Sequence, residues 1–460
     1  MTAMRKNWAA DPGAIATLRN AMVTGEFAPA EAVDAALTRI AAAEPAVQGW
    51  CLIDRESAYA AAERLASTPA GTCGPLHGIP VAIKDVIDVQ GWPTRAGSRT
   101  RDHAPLSDAD ATVVAKLRAA GAIVVGKAHT TEFAFFDGPP PTRNPHDLSR
   151  TPGGSSAGPA AVVAAGMVPL SLGTQTAGSI SRPAAYCGIA AFKPSSLSWP
   201  GFGVIPFAPS FDTVGVFGYR VADAALAARA LMPDFMAAES RPGTPPRIVV
   251  LNDPLLADAS PCVAEIGQEV ADKLAAAGID CTMRDSPVSL AALNAMHLLI
   301  REYELGRAHA ALRHAPDGQV TPSLREAIAR GLRIGMEDYV RAFRELAAAR
   351  AVFWDAMVAA DALIFPAAPD IAPKGMATGD ARFVVPFTAL GGPIVSLPIG
   401  FTCGMPLGIM LIGAPGTDRM LLDIAERLAP YVEISRGAHA AETSTTAAPN
   451  LQVLTSACGE

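Results

Sequence analysis

Short apolar runs with strand character alternate with helical stretches along most of the chain, and this alternation constrains the fold more than any other feature. The runs fall at residues 80–86, 122–125, 168–172, 247–251, 362–365, 394–399 and 407–412. Each is too short for a buried helix and is followed by turn residues or a helical pattern. Strands that are apolar on both faces need helices above and below them. The expected class is therefore α/β: an α/β/α sandwich around a central mixed, mostly parallel sheet. No fixed repeat period is visible, which argues against a solenoid.

The 460 residues are 50% hydrophobic and 18% charged, enough to bury a large core. Residues 1–70 read as an N-terminal helical flank, with apolar positions three and four apart (Ile15, Leu18, Met22; Ala36, Leu37, Ile40). The main domain is expected over 71–436. Within it, residues 297–359 are almost wholly helical, contain the i,i+4 pair Glu326 and Arg330, and suit an insertion or cap over one end of the sheet. Residues 437–460 read as a flexible tail.

The net charge of −7 comes from 44 acidic and 37 basic residues without long single-sign runs, so no basic face for a nucleic acid is expected. Seven scattered cysteines without a CxxC pair suggest reduced thiols rather than a disulfide or metal framework. No apolar segment follows the first basic residues, and the apolar stretch over 157–172 is shorter than the roughly 20 residues a membrane helix needs. These features lead to the expectation of a cytoplasmic protein, monomer or homodimer, with no membrane contact, cofactor or metal.

Three segments carry chemistry. LHGIPVAIKD (76–85) places Lys84 at the end of an alternating apolar strand pattern. To act as a base near neutral pH, its ordinary pKa of about 10.4 must fall to about 7, at a cost of roughly 4 kcal/mol. TPGGSSAG (151–158) presents the hydroxyls of Ser155 and Ser156 at a helix start, and lacks the Gly-Lys-Ser/Thr ending of a phosphate loop. GTQTAGSISRPAAYCG (173–188) follows a strand-like run and puts Ser179 after two small residues. Backbone N–H groups from Thr176, Ala177, Gly178 and Ser179 are candidates for an oxyanion hole. GSSAG (154–158) also matches a GxSxG elbow centred on Ser156, but no strand leads straight into it; Ser-x-x-Lys is absent from the chain.

Taken together, the segments resemble the amidase signature family of serine hydrolases, continuously over about 75–220. The likeness includes the family's post-signature segment in GVIPFAPSFDTVGVFG (203–218), and weaker likeness lies beyond it in GMPLGIMLIG (404–413). The resemblance implies a nucleophile at Ser179, a proton relay at Ser155 following a cis peptide, a base at Lys84, and support from Ser156. Gln175 stands where many members have aspartate, although malonamidase-like members also have glutamine there; Ala157, Ala177 and Met410 are further departures. A neutral lysine acting through a second hydroxyl removes the need for histidine.

The resemblance also implies that Arg182, three residues after Ser179, grips a substrate carboxylate, the alternative being a bond to a local carboxylate or carbonyl. Apolar residues near the motifs, namely Phe133, Phe135, Phe136, Trp199, Phe202, Phe207 and Phe387, suggest a substrate with an apolar side. Phe135 and Phe136 are the pair expected to be exposed. The reading is cleavage of amides, with carbamates or aryl esters as further substrates and small molecules as the only partners. Two alternatives stand beside it: the A subunit of a tRNA-dependent amidotransferase, and a non-catalytic binding protein on the same fold.

Overall fold

In the computed structural model, which describes residues 15–232 and 245–433, eleven strands join into one sheet flanked by helices. The strands are β1 (Trp50–Ile53), β2 (Pro80–Lys84), β3 (Ile123–Ala128), β4 (Leu170–Gln175), β5 (Ala190–Lys193), β6 (Thr213–Gly218), β7 (Ile248–Asn252), β8 (Cys281–Asp285), β9 (Ala362–Pro366), β10 (Ile394–Thr402) and β11 (Met405–Ile412). Their order is β1-β3-β2-β4-β6-β5-β10-β11-β9-β7-β8. The layered mixed α/β architecture agrees with the sequence reading. The sheet is not mostly parallel, however.

Parallel pairing is confined to two flanks, where β2 lies between β3 and β4 and β7 lies between β8 and β9. From β4 through β6, β5, β10 and β11 to β9 every pairing is antiparallel, as is β1 on β3. The reason lies in the connections. Helical crossovers return the chain in the same direction, whereas β10 and β11 are joined by a two-residue turn of Cys403 and Gly404, both at positive φ, which can only make a hairpin.

Most of residues 297–359 lie in the helices Leu290–Ala308, Pro322–Arg333 and Met336–Ala356. Arg330 joins two of them, reaching Glu302 at 2.8 Å and Glu326 at 3.1 Å. The first of the three also packs against the short helix Val385–Leu390, which brings residues distant in sequence beside the ends of the central strands. No helix among the described residues is long and apolar enough to cross a membrane. The tail assigned to 437–460 and the first fourteen residues lie outside the described residues.

Candidate active site

Parallel register places the first two chemical segments side by side. Val81, Ala82 and Ile83 of β2 pair with Leu170, Ser171 and Leu172 of β4, so the carboxyl ends of both strands, carrying Lys84 and Thr174, emerge together. Such strand ends are where open α/β sheets build their sites. The loop bearing Ser155 crosses above them and enters the helix Ala157–Ala164. Its Gly154–Ser155 peptide is cis, and Gly153 holds a φ of +85° with its α-carbon so close to Pro183 that a side chain there would meet backbone at 2.9 Å. Ser156 Oγ donates to Thr174 O at 3.2 Å, tying the loop to β4.

Lys84 is fully buried, and burial holds its pKa well below 10.5, only partly opposed by the Asp212 carboxylate. A neutral amine has two N–H groups and a lone pair. Lys84 Nζ lies 2.7 Å from Thr174 Oγ1 and 2.8 Å from Ser155 Oγ, which accommodates donation to the first and acceptance from the second. Asp212 is half-buried, with its pKa pushed up by desolvation and held back by hydrogen bonds from the Thr176 hydroxyl and from the N–H groups of Phe207 and Ala208.

The Ser179 loop is fixed from below by Gln175, whose Oε1 accepts the N–H groups of Ile180 at 2.8 Å and Ser181 at 3.0 Å, and whose Nε2 donates to Thr388 Oγ1 at 2.9 Å. Two further bonds orient its peptides. His297 Nε2 donates to Thr176 O at 2.8 Å, and Thr388 Oγ1 donates to Ala177 O at 2.5 Å. In a trans peptide the N–H points opposite the carbonyl, so each bond also sets the direction of the next N–H, Ala177 and Gly178 respectively. The N–H groups of Ala177, Gly178 and Ser179 donate to no other described residue. Free donors aimed from one turn are what an oxyanion requires.

Ser179 is half-buried and opens into a cavity of about 540 Å³. Of the aromatic residues singled out in the sequence, Phe136 and Phe207 line it, as does Arg182. The others do not. Phe133 packs on His309, Trp199 on Phe192 and Phe387 on Phe365, all buried, while Phe202 is on the surface and away from the cavity. Phe135, expected to be exposed, is buried beneath Phe136, with ring centroids 4.2 Å apart. Arg182 is bound to protein: its guanidinium donates to Gly379 O at 2.8 Å and Gly154 O at 2.7 Å, so it braces the serine loop. That is the local-carbonyl alternative for its two terminal nitrogens, while its Nε is buried without a partner.

Sequence reading did not single out Thr174, Asp212, His297, Arg301 or Thr388. Thr174 and Asp212 lie inside motif segments and were within reach. The other three come from helices far along the chain, and no local pattern marks them. Among the described residues no cluster of three or more His, Cys, Asp or Glu side chains is arranged to hold a metal ion.

The Amidase family profile matches residues 31–422, and the chain belongs to that family. Among curated proteins, the A subunit of glutamyl-tRNA(Gln) amidotransferase from Symbiobacterium thermophilum is 34% identical, covering 89% of this chain and 95% of that protein. Among solved structures, one described as an amidase superposes with a TM-score of 0.82 at 30% identity, covering 91% and 99% of the two chains. The corresponding A subunit from Thermotoga maritima gives 0.69 at 28% identity, covering 86% and 90%. These relatives overturn the expectation of small-molecule partners only and no nucleic acid, since a multisubunit, tRNA-named enzyme provides close likenesses along nearly the whole chain. Net charge does not bear on this point, because a chain of a multisubunit enzyme such as these relatives needs no basic face of its own where other chains can supply it.

Proposed function

We propose that this family member cleaves C–N bonds of amides through an acyl-enzyme on Ser179. The observation that carries the reading is the buried Lys84 amine 2.8 Å from Ser155 Oγ, behind a cavity into which Ser179 opens. Neutral Lys84 accepts the Ser155 proton as Ser155 takes that of Ser179, and Ser179 Oγ attacks the carbonyl carbon. The oxyanion forms against the N–H groups of Ala177, Gly178 and Ser179. Return of the proton through Ser155 to the leaving nitrogen breaks the C–N bond, and water then releases the acyl group by the same route. Carbamates and aryl esters can enter the same sequence.

Two forms of this chemistry compete, and the curated relatives favour the second over a free-standing amidase. In it the chain is the A subunit of an amidotransferase, takes its amide from glutamine, and works with partner subunits on a charged tRNA; the named relatives at 33–34% identity support this form. Assays of amides, carbamates, aryl esters and glutamine, on wild type and Ser179→Ala, with and without partner subunits, ATP and glutamyl-tRNA, distinguish them. Turnover that survives Ser179→Ala refutes the shared chemistry. Wild-type protein that neither turns over any amide nor forms a fluorophosphonate adduct on Ser179 leaves the binding-protein alternative.

A further inference from the structure

Two arginines line the cavity that holds Ser179, and among the described residues only one of them hydrogen-bonds to protein groups. Arg182 commits both terminal nitrogens to backbone carbonyls, and only its Nε is left without a partner. Arg301, from the helix Leu290–Ala308, donates to no described protein group, and its Nε is buried without a partner. The adjacent carboxylate, Glu302, is taken by Arg330 at 2.8 Å. Of the cavity's two carboxylates, Asp380 is held by Arg382 at 2.6 Å and Asp137 accepts the Gly138 N–H. The Arg301 guanidinium lies 5.9 Å from the Phe136 ring centroid, within cation–π range of a residue that forms the cavity wall.

A guanidinium is a planar fork of donors matched to a carboxylate, and leaving it desolvated and unpaired is costly. Burial lowers the Arg301 pKa to about 10, so it stays cationic at neutral pH. We infer that Arg301 anchors a carboxylate on the substrate, so that the preferred substrates are amides that also carry an acid group, such as the monoamide of a short dicarboxylic acid or glutamine. This assignment rests on the reading of Ser179 as the acyl acceptor. It gives the acid-binding task to the helix across the cavity from the motif segments, in place of Arg182.

Titration of succinamate and glutamine, with neutral succinamide as the control, into the Ser179→Ala chain measures the anchor without turnover. At least one acid should bind more tightly than succinamide, and Arg301→Met should weaken that acid on the order of 30-fold, with Arg301→Lys in between. In the Ser179 protein, Arg301→Met should raise KM for the same acid amide by a similar factor with kcat changed much less. The loss for succinamide should be at least tenfold smaller. Acids that bind no better than succinamide, or an equal loss for both, overturn the anchor. Failure of the Ser179 reading shows separately, as absent turnover and absent covalent labelling while the titrations still discriminate.

Discussion

Replacing His297 by leucine tests how far the oxyanion loop depends on a helix outside the motif segments. The imidazole is buried, 4.3 Å from the Phe211 ring, and donates its Nε2 proton to Thr176 O at 2.8 Å. Leucine keeps the packing and strands the carbonyl, at a cost of about 1–3 kcal/mol unless the peptide rotates to find another donor. Rotation would turn the Ala177 N–H away from the cavity. With one whole oxyanion donor worth roughly 3–4 kcal/mol, a partial loss of about 1–3 kcal/mol lowers kcat by about 5- to 150-fold. KM should change little, because that N–H meets a full negative charge only in the transition state.

The same residue gives a second readout through pH. Burial pulls its pKa from 6.5 down to about 3. The unfolded chain therefore binds a proton that the folded one refuses, and stability falls as pH is lowered from 6.5 toward 3. At about 1.4 kcal/mol per pH unit, the penalty reaches roughly 2 kcal/mol at pH 5. His297→Gln retains an N–H donor without a titrating group. It should recover most of the kcat lost in the leucine variant and, by urea unfolding, gain roughly 2 kcal/mol on wild type between pH 7.5 and pH 5. Wild-type kcat in a folded leucine variant refutes the positioning role. A glutamine–wild-type difference that is the same at both pH values refutes the buried neutral imidazole.

Lys84 makes activity fall as pH is lowered through its depressed pKa, because the ammonium has no lone pair to accept a proton; Lys84→Ala should lower kcat by about 10²–10⁴-fold and lose this acid limb in a pH–rate profile. Lys127 and Asp85 form a buried ion pair at 2.9 Å beside β2. Lys127→Met leaves Asp85 uncompensated and should cost about 3–5 kcal/mol in urea unfolding; an unchanged midpoint would show that the pair does not matter to the fold.

Helix and strand periods were legible where the pattern was strong. The runs at 80–86, 122–125, 168–172, 247–251, 362–365, 394–399 and 407–412 all meet observed strands within a few residues. Four strands went unseen. β5 is only four residues long and begins with two alanines, β6 is interrupted by Gly215, and β1 and β8 are edge strands whose residues, Trp50 apart, are exposed or half-buried. Strand direction was misjudged for a related reason: alternation with helices signals parallel crossovers, and the antiparallel centre is set by pairing between strands far apart in the chain, such as β5 with β10.

The chain by itself determined the α/β class and the place of Lys84, Ser155, Ser156, Gln175 and Ser179 in three compact segments, because short motifs write loop shape and hydroxyl spacing directly into sequence. It also marked Arg182 and a set of aromatic residues, but not what they touch. Only the tertiary structure decided that Arg182 is bound to carbonyls, that Phe136 and Phe207 alone of those aromatics wall the cavity, and that His297, Thr388 and Arg301 face the Ser179 loop or its cavity. These depend on which helices pack over the strand ends. That packing is a sum over many weak, long-range contacts, and no local run of residues encodes it.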